Sequence, residues 1–255
     1  MAPDRDGPVA RDGSPHPDRA RPTFEREVRA MFASIADRYD AFNHLATFGL
    51  DLVWRPRALW ELDRYRHLPV RRALDVGCGT GGLARRLADR YPRAEVVAVD
   101  FSRAMVAAAR GRGTPPALGV ANASRLPFAD GTFDLVASAF VARNFADLRG
   151  TARELGRVLR PGGSLLTLEV SEPASPTVRR LFHAHFDGVV PMIGRAFGRE
   201  GPYRYLPESL RRFPSVREVV TILDAAGFVR VVARPISVGI VTAYLAEAPA
   251  RGQRG

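Results

Sequence analysis

Eight consecutive residues carry the densest chemical signal in the chain: Asp75-Val76-Gly77-Cys78-Gly79-Thr80-Gly81-Gly82. Glycines at this spacing let a backbone turn tightly and let a ligand approach the main chain closely. Gly77, Gly79 and Gly82 also satisfy the dinucleotide fingerprint G-x-G-x-x-G, so the loop alone leaves a nicotinamide cofactor open. Two acids argue for a different ligand. Asp75 stands immediately before the loop, where dinucleotide folds usually carry an apolar residue, and a carboxylate there suits a cation better than a pyrophosphate. Asp100, closing the next apolar run, can hold both hydroxyls of a ribose. Asn122-Ala123, after a third run, is placed to read an adenine edge. The chemistry that fits all of them is an adenosine bearing a positive charge.

Positioning such groups takes a sheet. Ala73-Leu74-Asp75-Val76 is a short apolar run ending in glycines and reads as a buried strand, followed by a helix over Leu83–Arg90. Further strands are expected at Val96–Val99, Leu118–Val120, Phe133–Phe140 and Ser164–Val170. Ser102 can cap a helix over 103–110, and a helix over 147–159 stops at the turn sequence Arg160-Pro161-Gly162-Gly163. Ser215 and Glu218 stand at capping-box spacing before an apolar helix at 216–226. Strands at about 228–234 and 238–246, parted by a turn at Pro235, close the pattern. Strands alternating with helices mean an α/β fold: a doubly wound, mostly parallel, seven-stranded sheet with an antiparallel C-terminal edge hairpin. Upstream, Phe24, Val28, Phe32, Ile35 and Tyr39 make one helical stripe, and Phe42, Leu45, Phe48 and Leu50 a second apolar patch. This stretch reads as a surface helix docked on the core or as a lid over a pocket.

Composition sets the outer bounds. The chain has 255 residues, 46% hydrophobic and 25% charged, which suits one large domain or two small ones and excludes wholesale disorder. No apolar stretch approaches the roughly 18 residues of a membrane helix, and the charged, proline-rich start is no secretory signal, so a cytoplasmic protein is expected. The single cysteine, Cys78, excludes an intramolecular disulfide, and with no zinc-type Cys/His spacing no metal is expected. The net charge of +11 comes entirely from arginine, since the chain contains no lysine. Scattered solvated arginine is the plain reading and attraction to a membrane surface the next. Without a basic run or an aromatic-interleaved basic stripe, nucleic acid is not expected as a partner. Residues 1–22 are too polar to bury surface and are expected to be disordered, with 248–255 frayed. The single domain then spans 23–247: a helical lid at 23–70, a cofactor-binding core at 71–170, and substrate-side helices and C-terminal strands at 171–247.

The loop, the two acids and Asn122-Ala123 together resemble the class I S-adenosylmethionine-dependent methyltransferases, whose cofactor is a sulfonium joined to an adenosine. Over nearly the whole folded part the chain also resembles the ubiquinone/menaquinone biosynthesis C-methyltransferases. The matching residues include Tyr39-Asp40-Ala41-Phe42-Asn43, Trp54-Arg55, Leu126-Pro127-Phe128, Phe140-Val141-Ala142-Arg143-Asn144, Leu168-Glu169, Tyr205-Leu206 and Glu208-Ser209-Leu210. The resemblance implies a Rossmann-like methyltransferase fold with an N-terminal helical lid. It implies S-adenosyl-L-methionine as cofactor, contacted by Thr80, Asp100, Asn122 and Ala123, with Asp75, Gly77, Gly79 and Gly81 around its methionine part. It places the substrate near Tyr39, Arg143 and Asn144, and names a hydrophobic quinol or phenol, such as demethylmenaquinol, as methyl acceptor. An arginine side chain is a poor general base, so Arg143 is assigned to stabilising the developing phenolate, Asn144 to orienting it and Tyr39 to closing the hydroxyl network. His44, His183 and His185 are the candidate bases, and no spacing selects among them.

Four positions depart from the family's pattern: Ala139 where serine is common, Val141 for glycine, Tyr244 for histidine and Glu172 for lysine. All lie where substrate contact is expected and none touches the glycine loop. Two other readings therefore stand beside the prenylated quinol: a relative acting on a tail-less phenol or polyketide, and a non-methylating, cofactor-bound cyclase or scaffold. Peripheral contact with the inner face of a membrane would serve a greasy substrate. The oligomeric state, homodimer included, is not legible.

Overall fold

The computed structural model describes residues 21–113, 117–196 and 200–250; the disorder expected at 1–20 and the fraying expected at 251–255 lie outside them, while Arg21 and Pro22, expected in the disordered segment, open the first helix. Seven strands form one sheet: β1 (Arg72–Val76), β2 (Glu95–Asp100), β3 (Ala117–Val120), β4 (Phe133–Ala139), β5 (Leu159–Val170), β6 (Val229–Ile236) and β7 (Val241–Glu247). Their order is β3-β2-β1-β4-β5-β7-β6. The first five run parallel, and β7 lies antiparallel between β5 and β6. The chain winds from β1 outward through β2 to β3, then returns to β4 on the other side of β1. That reversal opens a crevice at the carboxyl ends of β1 and β4, where open α/β sheets bind ligands.

Helices cover both faces because both faces are apolar. On one, Ala73, Ala98, Ala137 and Leu166 pack against Trp54, Leu59 and Leu62 of α3 (Asp51–Tyr65) and Leu83 and Leu87 of α4 (Gly82–Arg90). On the other, Leu74, Val99, Val136 and Leu165 pack against α6 (Leu148–Val158) and α10 (Val216–Ala225). α5 (Arg103–Gly111) lies against β2 and β3. A third cluster joins α1 (Arg21–Ile35) and α2 (Tyr39–Ala46) to α7 (Pro176–Ala184) and α8 (Val190–Ala196) over the crevice end, through Ile35, Phe42, Phe182, Phe186 and Val190. A π-helical turn at His185–Val189 joins α7 to α8, and α9 (Glu200–Arg212) follows.

Three expectations need correction. The stripe from Phe24 to Tyr39 is not one helix: α1 ends at Ile35, the chain turns, and Tyr39 opens α2, whose direction is set by Asp40 reaching the glycine loop. The hairpin does not turn at Pro235. β6 runs through that proline to Ile236, which an outer strand tolerates because its proline needs no amide donor. The turn instead lies at Ser237–Gly239, where Ser237, Val238 and Gly239 all take positive φ. Leu159 already pairs with Phe133, so β5 begins before Arg160–Gly163 and regular pairing resumes at Ser164. Ala248 is buried and exchanges backbone hydrogen bonds with Gly162 and Gly163.

Candidate active site

The glycine loop is held open by its own backbone. Gly77, Gly79 and Gly81 have φ of 68°, 53° and 82°, in the left-handed region that disfavours side chains. A Cβ on Gly77 would also fall 2.4 Å from Cγ2 of Val141, so only glycine fits there, and Val141, against the expectation that no family departure touches the glycine loop, packs directly on it. The Gly77 and Cys78 amides donate to the Val99 carbonyl at 2.8 and 3.0 Å. The Gly79 amide donates to Oδ2 of Asp100 at 2.9 Å, and the Ser102 amide to Oδ1 at 2.8 Å. Asp100 thus braces the loop from the end of β2. Burial raises its pKa, and these two hydrogen bonds oppose the rise.

Asp75 is the most telling residue of the site. It is 1% exposed, and neither carboxylate oxygen has a hydrogen bond of full geometry; only the Ala84 amide offers its carboxylate a backbone donor. Burial pushes its pKa up to about 7, and the nearby Arg55 guanidinium pulls the other way. An acid sealed from water with so few partners is costly, and such groups concentrate at ligand sites. Arg55, on the first turns of α3, lies across Gly82 and 5.2 Å from the Phe140 ring centroid, and its Nε is likewise buried and unpartnered.

The N-terminal helices close on this loop. A Cβ at Gly79 would lie 3.9 Å from the Tyr39 ring, which places Tyr39 directly over the glycine turn. The Thr80 hydroxyl donates to Asp40 at 2.6 Å, and Arg112 pairs with the other Asp40 oxygen at 2.9 Å. Asn122 accepts from the Ser124 amide and hydroxyl, and its own amide donates to Glu25 of α1 at 3.0 Å. A cleft lined by Glu25, Gly77, Phe101, Asn122, Ala123 and Val141 runs from there toward Asn144.

At the end of β4 the backbone of Phe140 enters the left-handed region, at φ 61°, a strained conformation for an aromatic residue that recurs at functional sites. A single turn, Ala142–Asn144, follows. Arg143, its side chain 7% exposed, forms a buried ion pair through Nη1 with Glu169 of β5. Glu169 also accepts the Arg143 and Val170 amides, at 3.3 and 2.9 Å. The Nε–H of Arg143 remains buried and unpartnered. Asn144 accepts from the Tyr205 hydroxyl at 3.0 Å, which leaves its amide nitrogen as the donor. Tyr244 is wholly buried with its hydroxyl unpartnered, and burial and the Glu169 charge push its pKa up, so the phenol stays neutral.

The histidines are engaged elsewhere. His44 contacts Asp51, His183 contacts Glu172, and His185 donates to the Ala46 carbonyl at 2.7 Å. Beyond the end of β5 a cavity of about 700 Å³ opens, walled by Val170, Phe182, His183, Phe186, Leu210 and Phe213.

The structure therefore brings Asp75, Gly77, Gly79, Thr80, Gly81, Asp100 and Tyr39 to one loop, sets Asn122 and Ala123 along the cleft beside it, and sets Arg143 and Asn144 at the neighbouring strand end. Sequence reasoning missed the partners: Glu169, Arg55, Asp40, Glu25 and Tyr205. For Glu169 a signal existed, a lone charge inside the apolar run Leu165-Leu166-Thr167-Leu168-Glu169-Val170. Glu25 offered none, since its partner lies on a distant strand end.

The profile of the ubiE/COQ5 methyltransferase family matches residues 21–247. The chain is 44% identical over 203 residues to the demethylmenaquinone methyltransferase of Thermus thermophilus, covering 78% of this chain and 91% of that protein. It is 39% identical over 227 residues to the ubiquinone/menaquinone biosynthesis C-methyltransferase of Geobacter sulfurreducens, covering 86% and 88%. A crystal structure of an S-adenosylmethionine-dependent methyltransferase from Thermotoga maritima shares the fold, with a TM-score of 0.62 at 20% identity over 86% of this chain and 99% of that one. The glycine loop, the buried acid before it and the cleft beside it fit the S-adenosylmethionine used by this family, and with matches over nearly the whole folded part, the chain belongs to the ubiE/COQ5 methyltransferase family.

Proposed function

We propose that this S-adenosylmethionine-dependent methyltransferase methylates a ring carbon of a polyprenylated hydroquinone of the demethylmenaquinol type. The observation that carries the reading is Arg143: a buried guanidinium fixed by Glu169, with one N–H left unspent, at the strand end next to Asp75. When bound, the cofactor supplies a methyl group already activated at a sulfonium. Asp75 is suited to its positive charge, and Asp100 and Asn122 to its ribose and adenine.

The remaining work concerns the acceptor. A ring carbon becomes nucleophilic as the adjacent hydroxyl ionises, its proton passing to solvent water; the C–CH3 bond would form as the S–CH3 bond breaks to a neutral thioether, and the ring proton displaced by the methyl would return to the oxyanion to restore the hydroquinone. Arg143 is always protonated, so it does not take that proton, but its Nε–H donates to the oxyanion as it forms. Ion pairing through Nη1 with Glu169 holds the guanidinium in place and leaves the Nε–H unspent. Asn144, locked by Tyr205, offers a second donor, and Tyr39 covers the cofactor side. Beyond the end of β5, Val170, Phe182, Phe186, Leu210 and Phe213 give the cavity an apolar wall suited to an isoprenoid tail, with Glu172, Arg179, Asp187, Arg211 and Arg217 on its polar side.

The test separates binding from turnover. Arg143→Ala is expected to bind S-adenosylmethionine as the parent does while kcat falls on the order of a hundredfold or more, the usual loss for one oxyanion donor. Asp100→Ala is expected to lose cofactor binding, measured by calorimetry. Normal turnover by Arg143→Ala would remove the basis of this reading.

A further inference from the structure

We propose that the turn joining α2 to α3, with the outer face of α3, is a docking surface for an anionic lipid bilayer. The proposal deepens the reading of a lipid-tailed substrate and rests on it. Five large apolar residues within nine positions stand in solvent: Leu45, Phe48, Leu50, Leu52 and Val53, with Phe48 72% exposed. Single exposed apolar residues are ordinary, but a contiguous group marks a contact surface.

The group is held, not loose. The Gly49 amide donates to the His44 carbonyl at 2.8 Å and the Leu50 amide to Thr47 at 3.0 Å, and the Thr47 hydroxyl joins the Asn43 carbonyl at 2.8 Å and Asp51 at 3.1 Å. Phe48 is fixed at φ 51°, unusual for a bulky residue, with its ring braced 5.1 Å from His185.

Charge identifies the occupant. Val53, Arg57, Trp60 and Arg64 follow one another at helical spacing along one face of α3. The guanidinium groups of Arg57 and Arg64 lie 4.0 and 4.6 Å from the Trp60 ring centroid, although Arg57 also pairs with Glu61 at 3.1 Å. Arg86 adds a further guanidinium at the Leu52 carbonyl. Apolar residues at a tip, then a half-exposed tryptophan between two arginines, match the layering of acyl chain, interface and phosphate in a membrane surface. A protein partner or a second copy would have no reason to require that order.

The same turn reaches inward to the site. Trp54 packs on Phe140 with centroids 5.8 Å apart, and Arg55 extends toward Asp75. The surface that meets lipid is thus the outer rim of the lid over the cofactor loop. On the other side, the Phe48, His185, Phe186 and Phe182 rings touch in series toward the cavity at the end of β5.

The test is sedimentation of the full chain with phosphatidylcholine vesicles, with and without a third of phosphatidylglycerol, in the absence of quinol. The full chain is expected to sediment with the anionic vesicles and to be released by salt. Phe48→Glu/Val53→Glu is expected to lower partitioning by roughly tenfold or more while cofactor affinity is kept, with Leu52→Glu as an independent variant acting in the same direction. Equal partitioning by parent and both variants overturns the proposal, as does an absence of vesicle binding by the parent. A concentration-dependent dimer that the double variant abolishes would assign the face to a second copy instead. Methyl transfer in detergent, measured alongside, keeps the two readings apart. Turnover without vesicle binding defeats only the docking surface, and vesicle binding without turnover defeats only the quinol.

Discussion

Asp75 shows how one residue can record a ligand. Its carboxylate is buried, and burial pushes its pKa up to about 7 against the opposing pull of Arg55 and the Ala84 amide. A raised acid favours the folded state at low pH, so its contribution to stability is full below the ordinary carboxylate range and is lost as pH rises through about 7. Cofactor binding has the opposite dependence, because a cation needs the ionised acid. The affinity for S-adenosylmethionine is therefore expected to rise roughly tenfold per pH unit below pH 7 and to level off above it, with about one proton released per cofactor bound. Calorimetry in buffers of different ionisation enthalpy checks this, and Asp75→Asn is expected to flatten the curve. Asp75 was legible because an acid at a strand end is locally anomalous, as was Asp100. Arg143 and Asn144 were legible only through resemblance, and Glu169 became meaningful only once β4 and β5 lay side by side.

Elements announced themselves where local chemistry sufficed. Ser215 and Glu218 make both halves of a capping box, with the Glu218 amide donating to the Ser215 hydroxyl and the Ser215 amide to the Glu218 carboxylate. Ser215→Ala is expected to cost about 1 kcal/mol and to lower Tm by about 2–4 °C, with methyl transfer unchanged. Calorimetric melting beside an activity assay reads both. Ser102 caps α5 through its hydroxyl alone, which accepts from the Met105 amide. α3 falls within the helical lid expected at 23–70, but its own bounds were not legible, for two physical reasons. Pro56 sits inside it, and its buried stripe of Trp54, Ala58, Leu62 and Tyr65 is blurred by Leu52, Val53 and Trp60 on the opposite face. α9, with Pro207 inside it, was obscured similarly. The break between α1 and α2 is set by the Asp40–Thr80 contact, which no local pattern contains.

In the whole molecule the sheet order does the positioning. Starting at β1 and reversing to β4 puts the cation-seeking acid and the buried arginine at adjacent strand ends, and the helices inserted after β5 wall the acceptor side. Much of the arginine charge is spent within the fold: Arg157 on Glu154 and Asp130, Arg160 on Asp134, Arg230 on Glu247. The excess reads as a surface property. Among the described residues no helix is long and apolar enough to cross a membrane. The decisive measurement is the position of the methyl group. Purified enzyme is given methyl-labelled S-adenosylmethionine and reduced demethylmenaquinone in detergent, beside tail-less phenols, and the product is resolved by mass and NMR. One labelled methyl on the ring carbon next to a hydroxyl of the prenylated quinol is the expected result. Label on oxygen, label only on the tail-less phenols, or tight cofactor binding with no label transferred would contradict it.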